Sequence, residues 1–252
     1  MRVLIISDIH ANIAALDAVL AHAPLSQNGQ VDAVWCLGDI VGYGPNPNEC
    51  VARVKSLPNL VCLMGNHDKA VLDETSIEVF NADARAALYW TRSVATTETL
   101  AFLRALPEVA QVGAFTLVHG SPRQPIWEYI LDRGVAQEIL STLQTPYCLV
   151  GHTHVPVIYG ISNSDNACFV EAPDYVRPRK LQAHVHSERL ILNPGSVGQP
   201  RDNNANAAYA LLDTDSGEWE YCRVFYNVEL TQNRMRNVGL PSRLVSRLAY
   251  GW

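Results

Sequence analysis

An α/β fold, with two β-sheets packed as a sandwich and flanked by helices, is predicted by three features of this 252-residue sequence. The first half alternates short apolar runs with helix-period patterns, the mark of parallel βαβ units with helices laid on a sheet. The second half becomes strand-rich after His154. No internal repeat, low-complexity tract or Pro/Gly/Ser linker interrupts the chain, so residues 1–252 are expected to form one domain. At 48% hydrophobic and 17% charged residues, the composition supplies a sizeable core and argues against disorder.

Each element has its own warrant. Val3 to Ser7 reads as a buried strand, and Ile13, Leu16 and Leu20 then recur at helical spacing behind Asn12, an N-cap residue type. Val31 to Leu37 gives a second strand, Asn48 to Leu57 a helix, and Leu60 to Met64 a third strand. Two helical stretches follow between Asp83 and Leu106. Phe115 to Val118 and Cys148 to Val150 read as buried strands, with a helix from about Val135 to Leu143 between them. Asp132-Arg133-Gly134 is a helix start. The later strand candidates are Val155 to Tyr159, Leu181 to Val185, Leu190 to Leu192, Ala208 to Leu212 and Trp219 to Phe225. The turn signal Asp213-Thr214-Asp215-Ser216-Gly217 makes the last two a hairpin. Arg234 through Arg247 reads as a solvated amphipathic helix.

Composition also excludes several classes. The formal net charge is −6 and no long basic run is present, so a grip on duplex nucleic acid is not expected. No stretch is long and apolar enough to span a bilayer. Val3-Leu4-Ile5-Ile6 stops at Asp8, too short for a signal-peptide core, which leads us to expect a cytoplasmic protein. The six cysteines show no CxxC pair, against zinc-finger and thioredoxin readings, and those in apolar runs (Cys36, Cys62, Cys148) read as inert core thiols.

Metal-binding residue types recur at the C-terminal ends of the apolar strands: Asp8 and His10, Asp39, Asn66, His119, then His152 and His154. In a parallel sheet those ends share one edge, where open α/β folds bind ligands. Residues two apart on an extended chain point to the same side, so Asp8/His10 and His152/His154 are each expected to project into one site. Imidazole with carboxylate favours Mn, Fe, Zn, Co or Ni over Mg or Ca. The set exceeds what one tetrahedral ion needs. Two ions about 3.5–4 Å apart, bridged by a carboxylate, fit better and suit phosphoryl chemistry.

These residues stand in five ordered motifs: Asp8-Ile9-His10, Gly38-Asp39, Gly65-Asn66-His67-Asp68, Val118-His119-Gly120 and Gly151-His152-Thr153-His154. In this the chain resembles the calcineurin-like metallophosphoesterase superfamily, whose four-layer fold agrees with the sandwich read above. The resemblance implies one metal on Asp8, His10, Asp39 and His154, and another on Asp39, Asn66, His119 and His152, with Asp39 bridging. Manganese is the expected ion. It implies that His67 is catalytic, oriented by Asp68, and that a hydroxide bridging the metals attacks a phosphoester in line. His22, His184 and His186 lie outside the motifs, and the second H-x-H has no glycine or carboxylate partner.

Phosphoprotein phosphatases and symmetric dinucleoside tetraphosphatases of that superfamily carry Asp-Arg-Gly after the second motif. Here Gly42-Tyr43-Gly44 occupies the place, and Asp68 stands where they have Glu. The sequence is therefore similar to the small prokaryotic phosphodiesterase-like branch, acting on a small phosphoester. Phosphoprotein phosphatase or dinucleoside polyphosphate hydrolase activity is the alternative, and a retromer-like non-catalytic scaffold is the rival of another class. Arg123 and Arg201 are the candidates to replace the missing phosphate-binding arginine. Asn193-Pro194-Gly195-Ser196 reads as a turn, and the resemblance makes it a loop lining the site.

Overall fold

In the computed structural model, residues 1–23, 31–73, 75, 77–162, 167–181 and 188–252 are described. Strand β1 (Arg2–Ile6) is apolar on both faces because both are covered: Val3 and Ile5 enter one buried cluster, Leu4 and Ile6 another. Helix α1 (Ile13–His22) starts where expected, with the Asn12 side chain accepting a hydrogen bond from the Ala15 N–H. It leads to β2 (Ala33–Cys36), α2 (Pro47–Lys55) and β3 (Val61–Cys62). β1 pairs in parallel with β2, and β2 with β3, as the alternation of strand and helix required.

A short helix, α3 (Asn66–Val71), follows β3 directly. Then come α4 (Ala82–Val94), α5 (Thr97–Arg104), β4 (Val109–Val112) and β5 (Phe115–Val118). Helix α6 (Arg133–Thr142) is capped by Asp132, whose carboxylate accepts from the N–H groups of Gly134 and Val135. It joins β5 to β6 (Tyr147–Leu149), again in parallel. The rest of the chain supplies β7 (Val157–Ser162), β8 (Cys168–Glu171), β9 (Arg179–Lys180), β10 (Glu188–Asn193), β11 (Ala207–Asp213), β12 (Glu218–Val224), α7 (Val228–Asn237) and α8 (Ser242–Arg247).

The strands form two six-stranded sheets, ordered β3-β2-β1-β11-β12-β9 and β4-β5-β6-β10-β7-β8. Trp35, Leu37, Leu63, Leu117, Leu149, Leu192, Leu212 and Trp219 fill the space between them. The outer face of the first sheet is covered by α1, α2 and their neighbours; the outer face of the second is covered by α6 through Ala136, Ile139 and Leu140. This is the four-layer α/β sandwich, with apolar residues alternating between the inner and outer layers. Cys36, Cys62 and Cys148 are buried core thiols.

Some elements depart from expectation. β4, β8, β9 and α3 were not anticipated, and the basic tail is two helices broken at Gly239 instead of one. The strand expected over Leu181 to Val185 falls, beyond Leu181 itself, outside the described residues, as do His184 and His186. Among the described residues no helix is long and apolar enough to cross a membrane.

Candidate metal centre

The C-terminal ends of β1, β2 and β3 in one sheet and of β5, β6 and β10 in the other open onto one edge of the sandwich. There the structure gathers all seven predicted ligand residues. Every one is buried, Asn66 at 5% relative exposure being the most accessible. The gathering is not achieved by extended chain, as the two-residue spacing had suggested. β1 ends at Ile6 and β6 at Leu149, and the ligand residues lie beyond them in turns. Asp8, His10, Asp39, His152 and His154 all have positive φ, between 48° and 63°. Such left-handed backbone costs roughly 1–2 kcal/mol for a side-chain-bearing residue and persists where surrounding structure over-determines it.

The over-determination is visible. Asp8 N–H donates to the Gly38 carbonyl and His10 N–H to the Asp39 carbonyl, which stitches the first two ligand loops together. The end of β10 and the loop after it brace the third ligand loop and the first. Asn193 Nδ2 donates to the Gly151 carbonyl at 2.8 Å and to Thr153 Oγ1 at 3.0 Å, and Ser196 Oγ donates to the Asp8 carbonyl at 2.7 Å. Gly65 is required by close approach: a Cβ there would sit 2.1 Å from Asp39 Oδ1.

Two groups of ligand atoms result. In one, His154 Nε2 lies 3.4 Å from Asp8 Oδ1 and 3.1 Å from His10 Nε2. In the other, His119 Nε2 lies 3.1 Å from His152 Nδ1, 3.2 Å from Asn66 Oδ1 and 3.4 Å from Asp39 Oδ2. Asp39 Oδ2 is also 3.6 Å from His10 Nε2, so one carboxylate oxygen faces both groups.

The tautomers decide what these contacts mean. His10 Nδ1 donates to the Val41 carbonyl at 3.1 Å and His154 Nδ1 to the Gln199 carbonyl at 2.6 Å. Both neutral rings therefore present bare Nε2 lone pairs, and those lone pairs face each other. Buried acceptors so placed repel unless a cation lies between them, and a ring whose far N–H is held by a carbonyl is the usual arrangement of a metal-ligating histidine. Asp8 Oδ1 is likewise buried without a hydrogen bond. The residues present fit a pair of divalent ions.

Burial and mutual charge set the acid–base behaviour of these groups. Burial pushes the Asp8 carboxyl up to about 7, although nearby His119 opposes it. Burial would also raise Asp39, but the His119 and His67 rings outweigh it and hold Asp39 well below the usual carboxylate range. His119 is lowered by burial yet carried up to about 9 by Asp39. The site thus concentrates negative charge on one carboxylate between imidazoles.

The remaining predicted residues divide. His67 is buried beside the ligands, with a ring nitrogen within 4.8 Å of ligand atoms of His10 and Asp39. Its backbone N–H donates to Asp39 Oδ1 at 2.9 Å, and burial lowers the pKa of its ring to about 4. Asp68 does not orient the His67 imidazole as expected. Its carboxylate instead accepts from the Val41 and Gly65 N–H groups at 3.1 and 3.0 Å, tying α3 to the β2 loop, and His67 Nδ1 has no hydrogen-bond partner. Ring contacts hold His67: Tyr43 at 4.3 Å, His10 at 4.9 Å and Phe80 at 5.0 Å between centroids.

Arg201 reaches the same place. Its Nη2 lies 3.5 Å from Tyr43 Oη and 3.1 Å from Gln199 Oε1, and its guanidinium carbon is 5.9 Å from the centre of the Tyr43 ring. Arg123 does not. It is held by Glu128 at 3.0 Å and Glu138 at 2.6 Å, carboxylates five and fifteen residues further on. Two site residues escaped the sequence reading. Tyr43 backs His10 and His67, and Tyr129 stacks on His152 at 3.7 Å, 22° from parallel. Tyr43 was visible in the altered second motif; nothing local marks Tyr129.

Comparison with known proteins gives a consistent picture. A model of the calcineurin-like phosphoesterase superfamily domain matches residues 1–217. A crystal structure of a metallophosphoesterase from Sphaerobacter thermophilus is 45% identical, covers 100% of this chain and 99% of its own, and superposes with a TM-score of 0.86. An uncharacterized protein of Methanocaldococcus jannaschii is 35% identical over 98% of this chain and 97% of its own length. A symmetrical bis(5'-nucleosyl)-tetraphosphatase of Vibrio cholerae is 29% identical over 56% of this chain, which spans 52% of that relative's length.

Proposed function

This chain belongs to the calcineurin-like phosphoesterase superfamily and is a phosphoric ester hydrolase with Asp and His groups able to hold metal ions; on that premise we propose that it carries a dimetal centre and cleaves a singly charged phosphodiester-type phosphorus, with His67 and Arg201 acting on the phosphoryl group. In this reading Asp8, His10, Asp39 and His154 hold one ion, and Asp39, Asn66, His119 and His152 the other. Divalent ions held there would supply Lewis acidity toward a phosphoryl oxygen and lower the pKa of water. The protein's own contribution is positional. The carbonyls of Val41, Leu37 and Gln199 fix the His10, His119 and His154 rings, so the ligand geometry exists before substrate arrives.

The observation that carries the diester preference is Tyr43. It stands where related phosphatases place an arginine, and its buried ring occupies the space against His10 and His67. A dianionic monoester would want two guanidinium–phosphate bonds; with Tyr43 in that place the second motif supplies none, and Arg201 brings one over the Tyr43 ring. Hydrolysis of a dinucleoside polyphosphate is the second reading. The tetraphosphatase relatives favour it, and an internal phosphoanhydride phosphorus carries the same single charge as a diester.

Metal analysis with an ester panel tests the proposal. Manganese-loaded protein is expected to turn over an aryl phosphodiester faster than a phosphoserine peptide. The reverse order would overturn the diester reading while leaving the hydrolase intact.

The two arginines make a sharper test. Arg201→Ala should lower kcat/KM by about 10–100-fold, the worth of a charge-assisted hydrogen bond. Arg123→Ala breaks only exposed ion pairs and should change it by less than about fivefold. Equal losses in the two variants would remove the distinction between them.

A further inference from the structure

Beside the metal centre lies a cleft of about 600 Å³, lined by Tyr43, Tyr129, Arg201, Arg243, Arg247 and Trp252 among others. Tyr43, Tyr129 and Arg201 belong to the site described above. The far wall belongs to α8 and the residues after it, beyond residue 217, where the superfamily match ends. A single phosphate fills a small part of such a volume, and ligand clefts of about 300–1,000 Å³ take drug-sized molecules.

The chemistry of the walls is one-sided. Three guanidinium groups face the cleft, and each offers donors and no acceptor. Among the described residues the Arg243 guanidinium has no hydrogen bond or ion pair, its one hydrogen bond being accepted by its backbone carbonyl from Ser246 Oγ, and Arg201 Nε is buried without a partner. Arg247 is partly engaged through its Nε by the Trp252 carbonyl oxygen, and burial followed by the charge of Arg201 lowers its pKa. The acidic group on the lining is Asp83, so the cations outnumber it. Gathering like charges beside one another is unfavourable unless an anion joins them. Aromatic faces complete the cleft: Trp252 is 58% exposed and Tyr129 45%.

We propose that this cleft is a second anion subsite, in which Arg243 and Arg247 grip a phosphate of the leaving group remote from the scissile phosphorus while Tyr129 and Trp252 offer a shelf for a base. The ligand class is a nucleoside polyphosphate. The assignment rests on the hydrolase reading above, since it places the scissile phosphorus at the dimetal centre and the second phosphate along the cleft. Arg201, between the two, contacts both.

The test is a binding series on the manganese-loaded protein with excess Mg²⁺: adenosine, AMP, ADP and ATP, titrated by calorimetry and as inhibitors of aryl diester hydrolysis. Affinity is expected to rise by about tenfold or more from AMP to ATP, as an added charge-assisted contact requires. Arg243→Glu, on an exposed helix position that the fold does not need, should collapse that rise while shifting AMP far less. Arg247→Gln should reduce it in part. Equal affinity for AMP and ATP in the unaltered protein overturns the proposal, and so does a uniform weakening of all three nucleotides in Arg243→Glu. Because the titration needs no turnover, a protein that grips ATP through Arg243 but hydrolyses no diester would retain the subsite and lose the proposed activity. A protein that cleaves diesters without phosphate-dependent affinity would lose the subsite alone.

Discussion

Asp39→Asn is expected to lower kcat/KM by at least about 10³-fold, the scale of losing several kcal/mol of transition-state stabilisation. Metal content should fall in the same variant. Asp39 Oδ2 is the one ligand atom that faces both groups, 3.6 Å from His10 Nε2 and 3.4 Å from His119 Nε2. The amide keeps the shape and removes the charge, so the fold is retained while two ions lose their shared counter-charge. Neither neighbour can compensate. Asp8 faces His154 and spends its other oxygen on the His152 N–H at 3.1 Å, and Asn66 carries no charge. Chelation of the unaltered protein should reproduce the loss, and Mn²⁺ should restore activity there but only weakly in Asp39→Asn. Full turnover by exhaustively metal-free protein, or an Asp39→Asn variant with normal metal content and rate, would sink the assignment of Asp39 as the bridge.

How much of this could be read from residues alone depended on what kind of constraint each residue obeys. The ligands were legible because coordination chemistry draws on few residue types, here His, Asp and Asn, and because the strands of both sheets deliver those residues to one edge. The reason for their convergence was not legible. Spacing suggested side chains alternating on an extended strand, whereas Asp8, His10, Asp39, His152 and His154 sit in left-handed turns held by hydrogen bonds from distant loops. Left-handed backbone at Asp and His leaves only a weak local signal, since it is imposed by partners such as Asn193 and Ser196.

The same logic separates Arg201 from Arg123. Both lie a few residues beyond a motif, and in the chain they look alike. Arg123 is claimed by Glu128 and Glu138, one of them on α6, and only the fold brings those carboxylates to it. Asp68 is a parallel case. An acid next to a catalytic-type histidine suggests a partner for the ring, but one turn of helix aims it instead at the N–H groups of Gly65 and Val41. Edge strands β4 and β9 were missed for another reason. Their residues are half exposed and carry no apolar alternation, so pairing alone defines them.

His67→Ala should lower kcat by about 10²–10⁴-fold, the range for loss of a positioned proton donor, while both metals stay bound. His67 differs from the ligand histidines His10, His119 and His154 in how it is held. His10, His119 and His154 are each fixed by a backbone carbonyl on Nδ1, the arrangement of a ring committed to coordination. His67 has no partner on Nδ1 and is positioned by Tyr43, Phe80 and His10 through ring contacts, with Gly42 backing it so closely that a Cβ there would lie 2.5 Å from Nδ1. A ring so placed is steered toward the site without being tied to a metal. Removing it leaves space in an aromatic cluster, so some loss of thermal stability is expected, and rates must be compared well below the unfolding transition. His67→Gln, which fills more of that space, separates the two effects: stability should recover while kcat stays low. The diagnostic measurement is metal content alongside kcat. A variant that keeps both ions and its KM but loses rate identifies His67 as the group acting on the phosphoryl oxygens or the leaving oxygen. A variant that loses an ion would make it an eighth ligand, and one that loses neither ion nor rate would leave the ring a packing element only.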